Sequence, residues 1–180
     1  MPVATRARSP LLSRLARSSA FALIAGLGFA ASTWGALTIS STATPSFAVA
    51  LNGTDQAPTY SLAFTVANTG GGNNSGWRVN AAATQFLNGT NAFPTTASSV
   101  VTVPNPGSCT GGGCNTPTPS GLVVYPVTLP TTGGVAIYNA SANTGKGTNV
   151  MTATVRVTAP ANIIAGTYTS TVTLQVVSGP

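Results

Sequence analysis

The chain has 180 residues, with seven Lys and Arg, one acidic residue and no histidine, which gives a formal net charge of +6 at pH 7. Four of the cations lie in the first 17 residues, so Arg78, Lys146 and Arg156 are the only cations beyond them. Three scattered cations do not form the basic patch that a nucleic-acid partner requires. One carboxylate and no imidazole leave general acid–base catalysis almost without side chains, and no His-ligated zinc site can form. We therefore expect a non-catalytic protein without a cofactor or metal.

The N-terminal segment has the organisation of a secretory signal peptide. Residues 1–19 are basic without an acid, residues 21–31 form an apolar run, and small residues close that run. An apolar run of 11 residues is too short to span a bilayer, which takes about 20. The segment predicts a cleaved signal peptide, residues 1–32, and a secreted mature chain, residues 33–180, without a stable membrane anchor. An uncleaved anchor helix that extends through Leu37 is the alternative.

Beyond residue 32 apolar residues recur at every second position, which is typical of β-strands with one buried face. The clearest candidates are residues 60–66, 77–83, 151–157 and 168–176. Shorter candidates are residues 36–40, 47–51, 99–103, 122–128 and 135–138. Threonine supplies many of the polar positions, since it is β-branched and uncharged. About nine short strands predict an all-β fold, a single antiparallel β-sandwich.

Turn signals separate these candidate strands. Asn52-Gly53 and Asn88-Gly89 are tight-turn dipeptides, and residues 69–76 read as a flexible glycine-rich loop. Residues 104–119 are rich in Pro, Gly and Ser. This composition predicts a long surface loop within the β-sandwich domain.

The two cysteines, Cys109 and Cys114, lie within that loop, with four residues between them. In an exported chain this spacing predicts a local disulfide. A metal site would need further ligands, and a redox pair would normally have the Cys-x-x-Cys spacing. Because so short a loop removes little entropy from the unfolded chain, the disulfide is expected to stiffen the loop more than it stabilises the fold.

Two short motifs resemble functional signals. Residues 129–133, Leu-Pro-Thr-Thr-Gly, match the pentapeptide that sortases cleave, but the apolar span and basic tail of a sorting signal do not follow it. Residues 145–148 resemble part of a phosphate-binding loop but lack its first glycine and its Ser/Thr position. We interpret the first as coincidental and the second as a turn.

Trp77 begins a predicted strand directly after the glycine-rich loop. A Trp in that position either packs in the core, which is the more common role, or forms an exposed ring that stacks on sugars. The alternation along a strand places Arg78 on the opposite face from Trp77 and Val79. Arg78 is therefore expected to face solvent, where its charge could contact an anionic wall polymer.

The order of motifs resembles the WxL domain family of bacterial surface proteins. Residues 35–39 and 51–56 are similar to the family's first strands, and residues 76–79 (Gly-Trp-Arg-Val) to its first Trp-x-Leu motif. Residues 165–176 resemble the distal motif. In that motif Tyr168 matches, while Leu174 stands where the Trp is expected and Val176 where the Leu is expected. The resemblance extends from Gly35 to the end of the chain.

The resemblance implies non-covalent attachment to the peptidoglycan of the cell wall. It also implies two parts of a binding surface, one formed by Trp77, Arg78 and Val79 and the other by Tyr168, Leu174 and Val176. We therefore expect a secreted protein of the cell surface or cell wall. The alternative is a structural or adhesive subunit of a surface assembly whose partners are other proteins, as the low charge and the Thr-rich strands suggest.

Overall fold

The computed structural model describes residues 36–70 and 75–179, and the predicted signal peptide lies outside these residues. The described part of the chain contains eleven strands and no helix. The strands are β1 (Leu37–Ser40), β2 (Thr59–Asn68), β3 (Trp77–Ala83), β4 (Leu87–Asn88), β5 (Asn91–Ala92), β6 (Ser98–Val100), β7 (Asn105–Thr110), β8 (Val127–Thr128), β9 (Val135–Ala140), β10 (Gly147–Val157) and β11 (Val172–Ser178). In these residues no helix is long and apolar enough to cross a membrane.

The strands form two main antiparallel sheets and one hairpin. The larger sheet has the order β1-β2-β10-β6-β8, and β7 also pairs with β10. The smaller sheet has the order β11-β3-β9, and β4 pairs with β5. Every strand pair is antiparallel. The prediction of an all-β antiparallel fold is therefore confirmed, with eleven strands in the described residues instead of about nine.

Alternation along the long strands builds the main hydrophobic core. In β2 the buried residues are Leu62, Phe64 and Val66, and in β10 they include Met151 and Val155. Both strands contribute to one hydrophobic cluster, to which the smaller sheet adds side chains of β3 and β9. The Thr residues between the apolar positions of β10 are half-buried or exposed, as the period of two predicts.

A second hydrophobic cluster, the aromatic cluster, lies beside the first. Its buried members are Phe86, Phe93, Ala97, Val157 and Ala159, and the partly buried residues packed against it include Phe47 and Tyr168. The rings of Phe93 and Tyr168 lie 4.7 Å apart between centroids, and those of Phe86 and Phe93 lie 5.4 Å apart. The cluster packs irregular segments against the end of β10.

Four predicted strands depart from the observed ones. Residues 47–51 are irregular, although Phe47 and Val49 still pack against the aromatic cluster. Of residues 122–128 only Val127–Thr128 forms a strand, and of 99–103 only the first two positions fall in β6. The last strand begins at Val172 and not at Tyr168. In these segments alternating side chains reach apolar contacts without a continuous backbone ladder, so the pattern overestimates strand length.

The prediction of a surface loop over residues 104–119 is wrong for its first half. Here β7 pairs with β10, with Cys109 opposite Asn149 and Pro106 opposite Met151. The register shifts between these pairs, so two residues of β7 lie opposite one of β10. A strand with a bulge and a single partner strand tolerates the Pro and Gly that make the segment look like a loop.

The predicted disulfide between Cys109 and Cys114 is confirmed, with a Cα–Cα distance of 6.0 Å. It closes the end of β7, and the following residue, Asn115, bonds to the backbone of Lys146. For a loop this short the entropic stabilisation is about 2 kcal/mol. We expect replacement of both cysteines by serine to lower the free energy of unfolding by about that amount, as measured by urea denaturation. A loss above about 4 kcal/mol would contradict this local role.

Two tyrosines bury their hydroxyl groups against backbone carbonyls. Tyr125 donates to the carbonyl of Ile137 at 2.6 Å, and Tyr138 donates to that of Pro117 at 2.9 Å. Burial raises the pKa of Tyr125 to about 12. Burial, with a smaller contribution from Tyr125, also raises the pKa of Tyr138 above its usual value.

These raised pKa values predict a loss of stability at alkaline pH. A tyrosine whose pKa is higher in the folded state stabilises the fold fully below its unfolded pKa of 10.0, and this stability is lost as the pH rises through the folded value of about 12. We therefore expect the free energy of unfolding to be flat up to about pH 10 and to fall beyond it. Urea denaturation across that range tests this, and Tyr125→Phe should reduce the slope. A slope that Tyr125→Phe leaves unchanged would contradict the assignment.

Candidate functional site

The structure joins the two segments that the sequence selects for binding. β11 pairs with β3 in an unbroken antiparallel register, in which Val176 lies opposite Val79 and Ser178 lies opposite Trp77. Leu174 lies opposite Ala81. The Trp-containing segment and the end of the distal segment are thus neighbouring strands, although 94 residues separate Arg78 from Val172.

Trp77 and Val79 are fully buried, so neither can contact a polymer at the surface. The Trp77 indole N–H donates to the carbonyl of Gly145 at 3.0 Å, and its ring lies 5.4 Å from that of Tyr138 between centroids. Both residues belong to the main hydrophobic cluster. This corrects the proposal that they contact the wall directly: as the more common reading expects, Trp77 is a core residue whose polar atom is satisfied inside the protein.

Gly145 links this buried ring to the segment that leads into β10. Its carbonyl also accepts from the Asn68 side chain at 3.3 Å, and a Cβ added at Gly145 would lie 2.5 Å from the Trp77 indole nitrogen. Lys146 bonds through its backbone to Asn115, which follows the disulfide. The interpretation of residues 145–148 as a turn is therefore wrong for its second half, since Gly147 and Thr148 begin β10, and the bonds of Gly145 and Lys146 are to protein groups.

Tyr168 does not join the other candidates. Its hydroxyl donates to the carbonyl of Ile164 at 2.9 Å, and its ring packs on Phe93 in the aromatic cluster. It lines a cavity of about 540 Å³ together with Phe47 and apolar residues of the segment around Ile164. Leu174 and Val176, by contrast, are partly buried against the main cluster. Of the six candidates, therefore, only Arg78 points away from the hydrophobic clusters.

The outward face of the β11-β3-β9 sheet carries the polar side chains of these segments. Because alternate residues point to opposite faces, the middle position of each motif, Arg78 and Gln175, lies on this outer face. Gln175 is directly opposite Asn80, and Val177 is opposite Arg78. Arg78 and Gln175 are therefore diagonal neighbours on two adjacent strands, within reach of long side chains.

A cavity of about 390 Å³ opens on this outer face. Its lining includes Asn80, Thr173 and Gln175 from the strands and residues 131–134 from the loop before β9. The Thr-Thr-Gly part of the sortase-like pentapeptide thus forms one wall of this cavity. Sequence patterns do not identify three of these polar residues, Asn80, Thr173 and Gln175. They lie near Arg78 because of the register between β3 and β11, and no local sequence pattern encodes that register.

Arg78 lacks a counter-charge on this face, since β3, β9 and β11 contain no Asp or Glu. Its Nε atom is buried without a hydrogen-bond partner. Asn139, its cross-strand neighbour on β9, is 6% exposed and has an unpaired Oδ1, and the buried Ser120 Oγ is also unpaired. The Ser120 backbone N–H donates to the Asn139 carbonyl at 2.9 Å, so these polar groups lie in one region.

This arrangement offers hydrogen-bonding groups and one cation but no group suited to acid–base catalysis. Within residues 36–70 and 75–179 no cluster of three or more His, Cys, Asp or Glu side chains could hold a metal ion. Comparison with known proteins gives no match: no protein-family model fits the chain, and no curated protein and no solved structure is similar to it.

Proposed function

We propose that the chain is a secreted, non-catalytic β-sandwich domain, similar to WxL domains, that associates with the cell wall through the outer face of the β11-β3-β9 sheet. The observation that supports this most is the position of Arg78, a cation on the outer face without an acidic residue on its sheet, near Asn80 and Gln175 in the strand register. Both middle positions of the two Trp-x-Leu-like segments lie on this one face. The buried positions of those segments then serve to fix the register between the two strands.

The chemistry of this face suits a polymer that carries carboxylates, amides and hydroxyls, as peptidoglycan does. A guanidinium binds a carboxylate with two parallel hydrogen bonds, and such charge-assisted bonds are about twice as strong as neutral ones. The amides of Asn80 and Gln175 both donate and accept, and Thr173 adds a hydroxyl. Because these groups lie on neighbouring strands, several of them can contact an extended chain at once.

We expect Arg78→Ala to weaken retention of residues 33–180 by purified peptidoglycan sacculi about tenfold, since a charge-assisted hydrogen bond contributes about 1.5–3 kcal/mol. Arg78→Lys keeps the charge but not the bidentate geometry. Its retention should lie between that of the wild type and that of Arg78→Ala. Arg156→Ala is the matched control, because Arg156 lies on β10 in the other sheet. Co-sedimentation over a range of sacculus concentrations measures all four proteins. Equal retention of the Arg78 and Arg156 variants would contradict the proposal.

A second candidate function is supported by exposed apolar side chains in the segments after β6 and before β8. Leu122 is 67% exposed, Val124 is 84% exposed and Val103 is 43% exposed. Val103 and Leu122 line the same cavity. Exposed apolar clusters of this kind are typical of protein–protein contacts, so a structural or adhesive subunit with protein partners is the alternative. If sacculi retain neither the wild-type chain nor any of its variants, that result would favour this alternative.

A further inference from the structure

The cavity on the outer face of the β11-β3-β9 sheet has a lining without charge. Its floor is formed by two cross-strand pairs: Gln175 lies opposite Asn80, and Thr173 lies opposite Ala82. Residues 131–134, from the loop before β9, form one wall. The volume of about 390 Å³ lies within the range of roughly 300–1,000 Å³ that pockets for small ligands have. The cavity is therefore large enough for a ligand, and it offers that ligand only uncharged groups.

The hydrogen-bonding side chains of this cavity are not used inside the protein. Asn80, Thr173 and Gln175 belong to backbone ladders, but their side chains make no hydrogen bond to another described residue. The same holds for the hydroxyl groups of Thr131 and Thr132. None of these groups is buried without a partner, so each remains accessible. Two carboxamides and three hydroxyls can therefore bond to a ligand.

The groups on the floor cover an area about the size of one sugar ring with its substituents. Residues directly opposite each other on one face of an antiparallel pair have Cβ atoms about 4.5–5.5 Å apart, and the next pair on that face lies about 6.6 Å along the strands. Asn80 and Gln175 thus form one end of a rectangle of about 5 by 7 Å, and Ala82 and Thr173 form the other end. The floor presents two amides, one methyl and one hydroxyl at these spacings.

This set of groups matches an N-acetylated sugar more closely than a peptide. The acetamido group of such a sugar is an amide that carries a methyl. Its amide can bond to the carboxamides of Asn80 and Gln175, which both donate and accept, and its methyl can contact Ala82. An extended peptide, by contrast, bonds to the unpaired backbone of a strand edge. Beneath this cavity the backbones of β3 and β11 are already bonded to each other.

We propose that the cavity binds one N-acetylated sugar unit of an uncharged glycan chain. This inference rests on the proposed wall binding and deepens it, because it assigns the cavity to the glycan part of the polymer. Arg78 lies two residues before Asn80 and therefore on the same face of β3. A carboxylate attached to the neighbouring sugar unit can then lie near the guanidinium while the acetamido group occupies the cavity.

The test uses tetra-N-acetylchitotetraose, an uncharged chain of N-acetylated sugars, and cellotetraose, which lacks the acetamido groups. In NMR chemical-shift titrations of isotope-labelled residues 33–180, which form one compact unit, we expect the acetylated sugar to bind about tenfold more tightly. Asn80→Ala and Gln175→Ala each remove one carboxamide and should raise its dissociation constant about fivefold. Asn162→Ala is the matched control, since it removes an exposed carboxamide outside both sheets and should leave binding unchanged.

Three outcomes would overturn the proposal. The first is a wild-type chain whose chemical shifts do not change up to the solubility limit of the acetylated sugar. The second is equal affinity for the two sugars. The third is wild-type affinity in both Asn80→Ala and Gln175→Ala, because the sugar then binds elsewhere. Circular dichroism of each variant shows that it is folded.

The two proposals fail in different assays. If the acetylated sugar does not bind while Arg78→Ala still weakens retention by sacculi, the assignment of the cavity is wrong and the proposed function stands. If the sugar binds as expected while sacculi retain the Arg78 and Arg156 variants equally, the proposed role of Arg78 in wall binding is wrong and the assignment of the cavity stands.

Discussion

Replacing Trp77 by Ala is expected to lower the free energy of unfolding by about 3–5 kcal/mol, the usual cost of deleting a large buried aromatic side chain. Trp77 is fully buried and packs beside Tyr138. Its indole N–H is one of two donors to the Gly145 carbonyl, the other being the Asn68 side chain at 3.3 Å. The substitution therefore leaves a cavity but not a wholly unpaired carbonyl.

Urea denaturation of the oxidised chain measures this loss. Trp77→Phe is the matched control, because it keeps an aromatic ring and removes the N–H; we expect it to cost about 1–2 kcal/mol. A Trp77→Ala protein within about 1 kcal/mol of the wild type would contradict a core role for this residue. If the role is confirmed, weaker wall binding by Trp77→Ala reports loss of the fold and not loss of a sugar contact.

Gly145→Ala is expected to lower the free energy of unfolding by about 2–5 kcal/mol, from two sources. The φ angle at Gly145 is +69°, where an L-residue costs about 1–2 kcal/mol. A Cβ there would also lie 2.5 Å from the Trp77 Nε1 and 2.8 Å from its Cε2, and relieving such overpacking costs about 1–3 kcal/mol. Because the ring is held on all sides by the core, it cannot move away without cost.

Gly133→Ala is the control that measures the backbone cost alone. Its difference from Gly145→Ala gives the steric part of the effect. Gly133 has a φ angle of +81°, but a Cβ there has no atom within 4 Å. We therefore expect it to cost only about 1–2 kcal/mol. Urea denaturation of both variants gives the difference, and a cycle that combines Gly145→Ala with Trp77→Ala should show strong non-additivity, since the smaller side chain removes the clash. Equal losses of unfolding free energy in the two variants would contradict the close contact between Gly145 and the Trp77 ring.

The parts of the fold that follow a local rule were predictable from the sequence. The period of two located β2, β3 and β10, because their buried residues alternate without interruption. The Asn88-Gly89 dipeptide predicts a tight turn, and Gly89, with a φ angle of +60°, is the first of the two residues that join β4 to β5. The close spacing of Cys109 and Cys114 led to the correct disulfide.

The parts that depend on distant partners were not predictable. β7 contains Pro106 and Gly107, and only its pairing with β10 makes it a strand. The burial of Trp77 depends on a carbonyl 68 residues away. Likewise, the set of polar side chains that share the outer face depends on the register that places Gln175 opposite Asn80. Local patterns indicate that a strand exists, but they do not encode which strand becomes its neighbour.

The positions of the three cationic residues beyond residue 17 also bear on how the chain responds to proteases. Arg78 and Arg156 lie within the backbone ladders of β3 and β10, and the backbone of Lys146 is bonded to Asn115. Proteases that cut after Arg or Lys act mainly on exposed and mobile segments. We expect cleavage after these three residues to require that the strand, or the segment around Lys146, first opens. Resistance to trypsin-like digestion is thus built into the positions of the charges, and it lasts as long as the sheets stay closed.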